Sequence, residues 1–251
     1  MNTAAAKKSS FGIKFLKPWL IGLAAVGLIG AAIVSDDHAV TPAPRVAERP
    51  VILPDRTALY VQKYEVTVAE WNLCHAAGAC TLKLRVTGNQ TEAAMPATGL
   101  AYPDVSQYLA WINNATHQGF RLPTLREWEF MAAEVMPATP DPIFTDPDLS
   151  WASAYLLEPQ TKRTLRPQGA FATTSHGIVD LNGSVWEWTA ECYSGAQKHD
   201  IPADDCPAFF VGGEHIAAIP YLVRDPARGG CAVGAPPAHL GMRLVRDERS
   251  G

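Results

Sequence analysis

The residues with the most chemical reach in this chain are its five cysteines. Cys74 and Cys80 bracket the turn-like run His75-Ala76-Ala77-Gly78-Ala79, and Cys192 and Cys206 bracket a polar loop containing Ser194, Gly195 and Pro202. Those spacings predict two local disulfides, a kind of bond that persists in oxidising compartments. Closing such loops stabilises a fold by roughly 2 to 3 kcal/mol each, through entropy removed from the unfolded chain. Cys231 is left over, and an odd cysteine is either a free thiol or half of an intermolecular bridge. Near His239 it has the chemistry of a lone metal ligand or a nucleophile, and the plainer alternative is a small buried side chain. His75, His117, His176, His199, His215 and His239 show no spacing of the H-x-x-x-H kind, so no histidine metal centre is expected.

These residues need a compartment and a scaffold. Lys7, Lys8, Lys14 and Lys17 precede an uncharged apolar run from Pro18 to Val34, at the short end of what a helix needs to cross a bilayer. Basic residues stay cytoplasmic, so everything after Ser35 is expected outside the inner membrane. Gly30 to Ala32 supplies small residues for cleavage, whereas the long apolar core and the lack of a clean A-x-A suit an uncleaved anchor. Residues 1–35 are thus a signal peptide or a signal anchor, with a transmembrane helix at about 18–34. The rest of the chain carries 17 basic and 25 acidic residues, a net charge of −8 that argues against a nucleic-acid partner.

Residues 36–54 are rich in Pro, Ala and charge, as in Thr41-Pro42-Ala43-Pro44-Arg45, and read as a stiff linker. One domain is expected over 55–247. Leu59 to Val66 has strand character, and Thr67 with Glu70 forms a capping box at the start of a helix. A second helix is expected after Pro103, with Val105, Tyr108, Leu109 and Ile112 on one face, ending near Asn113 and Asn114. Thr124 with Glu127 caps a third, which Pro137 stops. Beyond it only short strands are expected, at 177–181, 185–188 and 241–245. Early helices followed by a loop-rich region with short strands indicate an α+β class.

Five segments stand in a particular order: Tyr64-Glu65-Val66-Thr67; Arg121-Leu122-Pro123-Thr124 running into Glu127-Trp128-Glu129; Asp180-Leu181-Asn182-Gly183-Ser184-Val185-Trp186-Glu187-Trp188; Arg228-Gly229-Gly230; and Gly241-Met242-Arg243-Leu244. Over about 190 residues this order resembles the signature of the formylglycine-generating enzyme, or sulfatase-modifying factor, family. The resemblance implies a C-type-lectin-like α+β fold, poor in regular structure and often calcium-bound.

The same resemblance implies ligand sets. Asp180, Gly183, Val185 and Glu187 match a calcium site of the family, where two carboxylates and two backbone carbonyls surround a hard cation. Gly183 would permit the turn that brings Asp180 and Glu187 to one centre. The alternative has Asp180 capping a turn and Glu187 paired with an arginine. Arg121, Glu127 and Glu129 resemble a segment that knits helix to loop, and an Arg with Glu on a helix is usually structural.

Active family members bind copper(I) through two cysteines beyond the late Gly-Gly and oxidise a substrate cysteine to formylglycine; thiolates suit that soft ion. Here Cys231 directly follows Gly230 and no second cysteine precedes Gly241. The expectation is therefore an exported, inner-membrane-associated accessory or maturation factor for a periplasmic redox enzyme client, for example a copper nitrite reductase. An active oxygen-dependent cysteine oxidase and a noncatalytic lectin-like binding module are the alternatives.

Overall fold

Capping chemistry sets the starts of the helices. In the computed structural model, which describes residues 43–136, 164–193, 205–214, 216–220 and 239–248, helix α1 runs Val68–Ala76. The Thr67 hydroxyl accepts from the Glu70 amide, and the Glu70 carboxylate accepts from the Thr67 amide at 2.7 Å. Helix α2 spans Tyr102–Thr116, with Pro103 in its first turn and the buried Asp104 carboxylate accepting from the Ala101 amide at 2.9 Å. It continues past Asn114 to His117, whose left-handed φ of 52° ends it. Helix α3, Leu125–Ala132, begins at the expected Thr124 and Glu127 box.

The strands are short: β1 Val51–Ile52, β2 Ala58–Val61, β3 Trp186–Tyr193, β4 Ala208–Gly212, β5 Ala217–Pro220, β6 Leu240–Gly241 and β7 Val245–Asp247. One sheet has the order β1-β2-β7 and is antiparallel; the other has the order β5-β4-β3-β6, with β3 and β6 parallel. The chain between β6 and β7 therefore passes from one sheet to the other. Arg243 lies on that passage.

Two apolar cores flank it. The larger gathers Trp71, Tyr108, Trp186, Trp188, Phe209 and their neighbours, and the smaller includes Leu59, Val61, Trp128, Ile178 and Leu181. Tyr102 stacks on Phe209 with ring centroids 3.5 Å apart, and the Trp188 indole donates to the Leu100 carbonyl at 2.8 Å. Trp186 and Trp188 of the 180–188 segment are thus core packing, with the Trp188 indole satisfied.

Several expectations need correction. Residues 43–54 are not a free linker: Ala47 donates to the Val61 carbonyl, Val46 bridges Gln62, and Val51 is buried in β1 against β2. Proline tolerates an edge strand, so a Pro-rich composition did not exclude pairing. The strand expected over 59–66 stops at Val61, because the chain turns there to feed α1. The 177–181 segment makes one bridge, Thr173 to Val179, and is otherwise a turn. Strands β4 and β5 were not expected from the sequence. The apolar segment 18–34, Pro137 and Cys231 lie outside the described residues, and no described helix is long and apolar enough to cross a membrane.

Candidate functional site

The passage between the sheets buries an ionic hub. Arg243 is fully buried and directs every N–H of its guanidinium to an acceptor. Nε reaches both Glu187 carboxylate oxygens at 3.0 and 3.2 Å, Nη1 donates to the Gln62 and Lys63 carbonyls, and Nη2 donates to the Val179 carbonyl and to Glu187 at 2.8 Å. The Trp128 indole donates to Glu187 Oε2 at 2.9 Å. One cation thus ties the end of β2, the turn before Asp180, β3 and, through Trp128, helix α3. Burial works against the charge on Arg243, yet Glu187 and Glu65 together hold its pKa above the ordinary value.

Asp180 shapes the loop beside it. Its φ is +68°, and its carboxylate accepts from the Gly169 and Phe171 amides at 2.5 and 2.8 Å. The Gly183 amide closes the turn on the Asp180 carbonyl at 2.8 Å. A Cβ at Gly183 would lie 2.7 Å from that same carbonyl oxygen, so the glycine serves close approach of backbone to backbone.

Glu65 completes the hub differently. It is 3% exposed, and its nearest countercharge is Arg243 Nη2 at 3.7 Å, beyond hydrogen-bond range. Burial raises its pKa, Arg243 opposes that, and the nearby Glu187 and Asp180 add to it; the outcome is a carboxyl pushed up to about 8. Glu65 and Asp180 share the wall of a cavity of about 10 Å³ with Ser184 and Val185, and the exposed Arg166 and half-buried Gln168 also line it. That is room for one water-sized occupant.

In the sequence Glu65 and Arg243 stand out only as members of the first and last of the five ordered segments. Glu65 stands between Tyr64 and Val66 but close to Gln62, Lys63 and Thr67, so its neighbours along the chain carry no signal of burial.

Arg121, Glu127 and Glu129 do not gather into a catalytic pair. Arg121 binds Glu127 bidentately at 2.7 Å and also Asp247 on β7, so it staples the start of α3 to the sheet. Burial opposes ionisation of Glu127, but Arg121 and the Thr124 amide hold its pKa below the usual value.

The calcium set implied by resemblance does not fit these side chains. Both Glu187 oxygens are committed to Arg243 and Trp128, so Glu187 is the arginine-paired residue of the alternative reading. Among the described residues no three His, Cys, Asp or Glu side chains converge as a metal cluster.

Both expected disulfides are present, Cys74 to Cys80 and Cys192 to Cys206. Four of the five cysteines are therefore consumed, and Cys231 has no second thiol in this chain to share a soft metal with.

Residues 30–248 match the family model described as the sulfatase-modifying factor enzyme 1-like domain. The chain belongs to that family. Within the sulfatase-modifying factor family it is 28% identical over 195 residues to the formylglycine-generating enzyme of Mycobacterium tuberculosis, covering 63% of this chain and 60% of that one. It is 30% identical over 130 residues to the inactive C-alpha-formylglycine-generating enzyme 2 of Mus musculus, covering 44% of this chain and 36% of the relative. The chain thus spans 60% or less of the length of these curated relatives. Among solved structures, that of CarF superposes with a TM-score of 0.50 at 14% identity, over 76% of this chain and 87% of that one, a likeness of fold alone.

Proposed function

We propose that this chain is an accessory or maturation factor of the sulfatase-modifying factor family, acting outside the inner membrane on an exported redox-enzyme client such as a copper nitrite reductase. The observation that carries the reading is thiol arithmetic. Copper(I) in this family is held by a pair of cysteines, and here the two disulfides leave only Cys231. Paired disulfides also suit an oxidising compartment, in keeping with an N-terminal segment that anchors the protein to the inner membrane or is cleaved to release it.

The likeness to the Mycobacterium tuberculosis enzyme supports a second reading, in which Cys231 takes part in oxygen-dependent oxidation of a protein cysteine to formylglycine. A noncatalytic module that uses a C-type-lectin-like scaffold to hold a protein or glycan is compatible with the name of the inactive relative. Purified protein incubated with copper and a cysteine-containing sulfatase peptide under oxygen separates these. The accessory reading expects no aldehyde. Aldehyde that is lost in Cys231→Ser establishes the oxidase instead, and aldehyde that survives the substitution overturns the assignment of the thiol as well.

A further inference from the structure

Residues 81–87, between α1 and α2, are built like a strand without a neighbouring strand. Burial alternates along them: Thr81, Lys83, Arg85 and Thr87 are exposed, whereas Leu82, Leu84 and Val86 are half-buried. Leu82 and Leu84 pack on the larger core. A period of two is the pattern of extended chain with one face on an apolar layer.

Side chains of α1 supply what a paired strand would. The Asn72 amide nitrogen donates to the Leu84 carbonyl and its oxygen accepts from the Leu84 amide, each at 3.1 Å. The Trp71 indole donates to the Leu82 carbonyl at 2.7 Å. The ends are fixed as well, by the Cys74 to Cys80 disulfide before the segment and by the turn at Gly88, with a φ of +68°, after it. The segment is thus held extended in advance, which lowers the ordering cost of binding.

In extended chain the N–H and C=O of successive residues point to opposite edges, so those of Lys83 and Arg85 face away from the edge that Asn72 occupies. Among the described residues they have no backbone partner. An open edge of this kind is a template for another strand. The side chains beside it select the partner. Ion pairs between described residues draw on Lys63, Arg121 and Arg243, which leaves the cations of Lys83 and Arg85 uncommitted and exposed. Two copies paired through this edge would set like charges against each other. A strand carrying carboxylates is complementary instead.

We propose that the open edge of residues 81–87 takes up an extended acidic peptide segment of a partner protein as an added β-strand, with main-chain bonds from Lys83 and Arg85 and their side chains reading its carboxylates. It holds whether the protein is an accessory factor or an oxidase.

Fluorescence anisotropy of purified full-length protein with a short labelled peptide that alternates glutamate and valine tests this. Saturable 1:1 binding is expected, weakened by salt and reduced at least about tenfold in the double variant Lys83→Glu with Arg85→Glu. The same peptide N-methylated at every second residue keeps its charge but cannot donate to the edge, and should bind at least about tenfold more weakly. Absence of saturable binding overturns the proposal, as does binding that the double variant leaves unchanged. Equal binding of the N-methylated peptide, or of one with lysine in place of glutamate, overturns it too, because strand addition and charge recognition would then be unnecessary. Sedimentation of the protein alone that reveals a dimer abolished by Arg85→Pro would give the edge to a second copy and sink the proposal. Should the double variant fail to fold, the two control peptides decide on wild-type protein. All of these outcomes are read from binding, so they leave the assignment of Cys231 untouched.

Discussion

Arg243 grips Glu187 with two nitrogens, at 2.8 and 3.0 Å, in a pair of which neither partner is more than 1% exposed. The pair joins the link between β6 and β7 to strand β3, and the remaining guanidinium hydrogens hold three carbonyls from two other segments. Removing the cation strands Glu187 and Glu65 in the interior. Arg243→Met is therefore expected to destabilise the domain by about 3 to 5 kcal/mol, the cost of leaving a buried charge unpaired. Arg243→Lys should recover little of this, because one ammonium cannot reproduce the planar fork. Equilibrium urea denaturation measures both.

Glu65 makes stability depend on pH. Its carboxyl titrates near 4.5 when unfolded and at about 8 in the fold, so the folded state is the one that binds the extra proton. Below about pH 4.5 both states are protonated and this contribution is fully present. As pH rises through the window to about 8, the unfolded chain releases its proton first and stability declines; above it the contribution is lost. Thermal unfolding across that range should show the decline, and Glu65→Gln should flatten it. A wild-type stability that does not fall over the window would refute the assignment.

Strand β4 approaches α3 closely enough to forbid a side chain. A Cβ at Gly212 would stand 2.1 Å from the Trp128 ring, which is buried and pinned through its indole N–H to Glu187. Gly212→Ala should therefore cost about 1 to 3 kcal/mol through overpacking, visible as a lowered midpoint in thermal or urea unfolding. Gly78→Ala provides the contrast: its Cβ would meet nothing, and only its φ of +75° penalises the substitution.

The two disulfides close loops with sequence separations of 6 and 14. On the chain-entropy account the longer loop contributes more, by less than about 1 kcal/mol. Replacing Cys192 and Cys206 by serine should thus lower stability somewhat more than replacing Cys74 and Cys80. Unfolding of the two double variants, compared with wild type, checks the ranking.

Much of the local structure was legible because it depends on near neighbours. Thr67 with Glu70 and Thr124 with Glu127 announced helix starts, since a capping box is satisfied within four residues. The disulfides were legible for the same reason of proximity. Strands β4 and β5 were not, because a short run such as Ala208–Gly212 is a strand only once β3 lies alongside it. The linker reading failed at Val51, whose partner Leu59 lies across a turn that composition does not reveal.

The calcium reading shows the same division inside one motif. The sequence alone determined that Asp180, Gly183, Val185 and Glu187 stand in the family's order, that Cys231 has no nearby thiol, and that the domain is α+β. It could not say which acid pairs with Arg243. That was decided when the chain crossed from one sheet to the other and brought Arg243 to Glu187 from 56 residues away, leaving Glu65 beside the cavity. Charge pairing depends on distance and desolvation in three dimensions, and neither is encoded by spacing along the chain.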